Sequence, residues 1–136
     1  MSDLLQSPLY QWNPHAAPLF LCAALMIGLG IFTSWRMSFN LVGRRFLYIA
    51  CAVMVWLIGT AMGYLSRTPD VAIMWFRIDN FGVAFISPTV YAFSLAILGR
   101  PQTRRILVLF LLATAMGIWT IQTNHIMVTA IRHSWG

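Results

Sequence analysis

Residues 46–65 read FLYIACAVMVWLIGTAMGYL, from Phe46 to Leu65, without a charged residue. Arg44 and Arg45 precede the run, and Ser66, Arg67 and Pro69 follow it. About 20 apolar residues in a helix cross the roughly 30 Å hydrocarbon core of a bilayer. In hydrocarbon every backbone amide must be satisfied internally, so this run predicts a transmembrane α-helix.

Three more runs flank it. Residues 16–34 form the first, with Pro14 and Pro18 at its start, where a missing amide donor is tolerated. Residues 72–98 form the longest and have a polar first part. Residues 105–121 form the shortest, closed by Thr120, Gln122, Thr123 and Asn124. Nothing alternates with period two over about ten residues, which argues against a membrane β-barrel. Short loops favour antiparallel neighbours packed in sequence order. The expected fold class is an all-α membrane protein, a four-transmembrane-helix bundle occupying residues 1–136 as one domain.

Composition agrees. Of 136 residues, 60% are hydrophobic and 9% charged, against about 25% charged in soluble domains. The apolar surface must lie in lipid or against a large partner. The net charge is +6; all nine basic residues are Arg and all three acids are Asp. The arginines sit in short loops between apolar runs, which reflects insertion topology and not nucleic acid binding. The first loop holds Arg36, Arg44 and Arg45 and the third holds Arg100, Arg104 and Arg105; Arg67, Arg77, Arg132 and all three aspartates lie on the other side. The six-to-three split predicts that the first and third loops are cytoplasmic and both termini face the outer, periplasmic side. The expected location is a bacterial inner membrane, crossed several times. Tyr10, Trp12, Trp35, Tyr64, Trp75, Trp119 and Trp135 cluster near span ends, as interfacial aromatics do. No basic n-region precedes the first span, so it is expected to remain uncleaved. Cys22 and Cys51 fall inside spans and read as small packing residues.

Few residues offer chemistry. Arg77, Asp79 and Asn80 open the third helix. A charge deep in a bilayer costs several kcal/mol, roughly, and is usually paired or near the interface. The segment reads either as a polar pocket or interhelix ion pair, or as an interfacial Arg77 reaching the headgroups. With a helix start near Ala72, Arg77 lies about 7–8 Å in and Asp79 about 3 Å deeper. Asp79 is therefore expected to face the bundle interior or a partner subunit. Candidate groups are Thr60, Gln122 or Arg77 across a bend. Pro88 removes a backbone hydrogen bond and should kink the third helix. Gly59 and Gly63 form a GxxxG pattern that lets another helix approach closely, inside the bundle or in a dimer. His15, His125 and His133 lack ligand spacing, so neither metal nor cofactor is expected. No nucleophile–base constellation, phosphate loop or carboxylate pair is visible, and no enzymatic activity is expected.

The segment Trp56-Leu57-Ile58-Gly59, the run from Met74 through Arg77-Ile78-Asp79-Asn80 to Gly82, then Pro88, Phe93 and Gly99-Arg100, and finally Thr123-Asn124-His125, stand in order. Together they resemble the N-terminal seven-helix membrane sensor region attached to some bacterial histidine kinases and diguanylate cyclases. The resemblance covers nearly the whole chain and the first four of that region's helices. It implies a sensory input module lacking its own effector domain, since no phosphoacceptor helix, ATP-binding lid or cyclase domain is present in the sequence. The chain's near-total commitment to membrane spans points first to a structural or accessory subunit of a larger membrane complex, such as a photosynthetic or respiratory assembly. The sensory module is the alternative. In either case the expected partners are other membrane protein subunits and lipid. A small transporter would need a duplicated half and a midplane polar site, and neither is visible.

Overall fold

The computed structural model describes residues 9–100 and 102–122. They form four helices, α1 (Ala16–Arg36), α2 (Leu41–Leu65), α3 (Pro69–Ile97) and α4 (Thr103–Gln122). Each is long and apolar enough to cross a membrane. The protein is a multi-pass, all-helical membrane protein. Asp3, His125, Arg132, His133 and Trp135 lie outside the described residues.

Helix ends follow from local chemistry. α2 starts five residues before the apolar run because Asn40 caps it, its side chain accepting from Gly43 N at 2.8 Å. Arg44 and Arg45 therefore lie on α2 and not in the first loop. α3 ends in a Schellman motif: Gly99 N donates to Ala96 O and Arg100 N to Leu95 O, with Gly99 at φ +64°. α1 ends the same way without a glycine. Ser38 N donates to Trp35 O and Phe39 N to Ser34 O, while Ser38 and Phe39 hold φ of 50° and 51°. α3 runs through Pro88 as one helix. Pro88 is buried there, and the Thr89 hydroxyl lies 2.8 Å from the carbonyls of both Phe85 and Ile86.

The helices pack in sequence order, as the short loops imply, and do not close into a ring. Among the described residues α1 packs on α2, α2 on α3 and α3 on α4, and no other pair meets. The helices make an open row. The reason is the distribution of side-chain size. The interior is made of Ala16, Ala23, Ala50, Ala52, Ala61 and similar small residues, and the largest fully buried side chain is Ser34. α1, α2 and the first half of α3 meet through such small residues, whereas α3 and α4 meet through Ala92, Leu95 and Ile106 with Tyr91 and Phe110. Leu21, Leu25 and Phe32 of α1, and Leu107, Leu111 and Met116 of α4, point outward. Lipid tails are as apolar as leucine, so van der Waals contact at small residues drives such packing. Cys22 and Cys51 are exposed on the helix surfaces and so do not pack inside.

A short extended segment ties one end together. Gln11 N donates to Leu65 O and Arg67 N to Leu9 O, pairing Tyr10 with Ser66. Asn13 donates to Tyr64 O at 3.3 Å, and Trp75 Nε1 donates to the Tyr10 hydroxyl at 3.1 Å. The start of α1, the end of α2 and the start of α3 are thereby joined.

Candidate functional site

On the α2–α3 seam the two backbones come close together. A Cβ built on Gly59 would stand 2.5 Å from Asp79 Cβ and 2.9 Å from its Cα and N. One built on Gly82 would stand 2.7 Å from Trp56 N and 3.1 Å from Ala52 O. The glycines are reciprocal: each helix offers one, three residues from the position its partner's glycine meets. Gly63 receives the Phe76 ring, 2.8 Å from the same hypothetical atom. Gly59 and Gly63 are thus spent inside the chain. Gly82 is the seam residue that a search for GxxxG misses, because a lone glycine has no pattern.

Asp79 sits in this seam, 8% exposed. Thr60 Oγ1 lies 2.9 Å from Asp79 Oδ2 and 3.0 Å from the Trp56 carbonyl of its own helix. A threonine hydroxyl carries one proton, so it serves one of these acceptors at a time. Among the candidates, Thr60 is the group the fold brings to Asp79. α4 packs on α3 alone, which keeps Gln122 on the far side of α3 from this seam. Because α3 starts at Pro69, Arg77 lies about 12 Å along it and Asp79 about 15 Å, deeper than a start at Ala72 implies. Arg77 is half-buried. Asn80 is half-buried too and turns back on its own helix, donating to Phe76 O at 2.8 Å.

Gly82 also borders a crevice of about 240 Å³. Its walls come from α2 (Cys51, Val55), α3 (Phe81, Phe85) and α4 (Phe110). Phe85 meets Phe81 and Phe110 in tilted contacts, with centroids 5.0 and 5.9 Å apart. The crevice wall is mostly apolar, with the hydroxyl-bearing Tyr48 and Thr89 also lining it. Among the described residues no group of three or more His, Cys, Asp or Glu side chains could hold a metal ion.

Residues 18–135 match the family model described as the N-terminal 7TM region of histidine kinase. The chain belongs to this family. The match takes in nearly all of the sequence, including the whole α2–α3 seam. No curated protein and no solved structure matches the chain. The Thr60–Asp79 link is a polar contact between α2 and α3 within the matched residues. The strap at Leu9–Gln11 was not legible from pattern, since its bonds are between backbone groups of distant residues.

Proposed function

We propose that this chain is the membrane-embedded sensory input region of a histidine-kinase-type signalling system. It answers a signal in the membrane or envelope by repacking α2 against α3. Family membership carries the reading, and it favours a sensory role over that of an accessory subunit in a large complex. The seam supports it physically. Small residues bring the backbones together, so a small change at Asp79 cannot be absorbed by flexible side chains and must move a helix. The Thr60 hydroxyl, with two acceptors in reach, supplies two bonding states at that joint.

In this reading the chain performs no catalysis itself and works through other membrane proteins in a bacterial inner membrane. Both termini face outward, as the arginine distribution favours. The test is purification in mild detergent with its native partner, followed by reconstitution in vesicles. A kinase or cyclase should co-migrate, and its phosphorylation or product output should change when Thr60→Val replaces wild type. A stoichiometric large complex with no signalling output would overturn the reading.

A further inference from the structure

We propose that the groove between α3 and α4 at their connecting end binds one acidic phospholipid, its phosphate between Arg104 and Arg105 and an acyl chain along Tyr91, Val108 and Leu109. The groove is about 490 Å³, and these five residues line it. It is amphipathic along its length. Arg104 and Arg105 stand in the first turn of α4 and are exposed. Val108 and Leu109 continue one turn deeper, and Tyr91 lies about 10 Å down α3 from Leu98 at 1.5 Å per residue. Two guanidiniums at headgroup level above an apolar trough about 10 Å deep match the order of groups in a phospholipid.

Charge supports the same occupant. No acidic residue follows Asp79 in the sequence. Asp79 itself is about 18 Å from Tyr91 along α3. No carboxylate of α3 or α4 therefore reaches the arginines. A soluble phosphate would use the arginines alone and leave the trough unfilled. A zwitterionic lipid would bring its own cation against them. The observations favour an acidic lipid.

The test uses the full chain purified in mild detergent, with bound lipid counted by native mass spectrometry. Phosphatidylglycerol, phosphatidylcholine and glycerol 3-phosphate are added in turn. The expected result is one retained phosphatidylglycerol, with neither of the others retained. Each arginine near a membrane surface is worth about fivefold in attraction, so Arg104→Gln with Arg105→Gln should weaken retention roughly thirtyfold. Val108→Trp keeps both arginines, and with them the insertion signal, but fills the trough; it should lose the lipid too. Arg44→Gln with Arg45→Gln, on the first turns of α2, should leave retention unchanged. Equal retention of phosphatidylcholine, competition by glycerol 3-phosphate, undiminished binding in Val108→Trp, or equal loss in the α2 pair would each overturn the proposal.

Discussion

Replacing Thr60 by valine keeps the shape of the side chain and removes its hydroxyl. The Asp79 carboxyl then keeps its place against Gly59 but loses the bond at 2.9 Å. Leaving a buried polar group unpaired costs about 1–3 kcal/mol in water-soluble proteins. Interhelical bonds in membranes are weaker, averaging about 0.6 and reaching about 1.7 kcal/mol, because the unfolded chain in lipid also finds partners. Two features decide between these. The hydroxyl proton is shared with the Trp56 carbonyl, which lowers the bond's worth. Asp79 is itself buried, which raises the cost of the loss. A destabilisation of about 1–1.5 kcal/mol is expected. Unfolding by a denaturing detergent, followed by helical circular dichroism in bicelles, measures it. Thr60→Ser should restore most of the loss. A Thr60→Val and Asp79→Leu double-mutant cycle should give a coupling of about 0.5–1.7 kcal/mol. If Thr60→Val unfolds within about 0.3 kcal/mol of wild type, a scatter typical of independent sites, the link does not hold the seam.

Asp79→Leu should disturb stability more than Arg77→Gln does, because only the first forces a branched apolar side chain against the Gly59 backbone; the same unfolding assay ranks them, and the reverse order would refute it. Gly59→Leu with Gly63→Leu should separate α2 from α3, since even a Cβ at Gly59 meets Asp79 backbone atoms at 2.9 Å; wild-type thermal stability in that variant would remove the close-packing argument. Ser38→Gly should stabilise the protein by about 0.5–1 kcal/mol by relieving a left-handed conformation at an exposed turn, readable as a rise in the unfolding midpoint. A reporter active only in the cytoplasm, fused after Gly136, should be silent.

The helices were legible because bilayer thickness and backbone satisfaction leave an apolar run little choice. Their ends were legible only where a residue declares itself. Gly99 marks the end of α3, whereas Ser38 and Phe39 give no sign of the left-handed turn that ends α1. Asn40 was overlooked as a cap because Arg44 and Arg45 look like loop residues. The seam was half legible. Gly59 and Gly63 stand out by spacing, but Gly82 becomes visible only when the antiparallel register sets it against Trp56. Short loops imply neighbours packed in sequence order, but helix count does not say whether the row closes. Count does not say whether α1 and α4 carry small residues on the faces they would have to share.

The open row has a consequence for how the protein is made. Among the described residues every helix contact joins neighbours in the chain, and the Leu9–Gln11 strap bonds to the end of α2 and the start of α3. No helix has to wait for a distant one. As spans leave the ribosome in order, α1 can dock on α2 before α3 exists, and α4 simply adds to the edge. Loop-closure entropy is then small at each step, as in other low-contact-order folds. Among these four helices α1 and α4 are each held on one side and detach first, while α2 and α3, each held on two sides, are the last pair to separate.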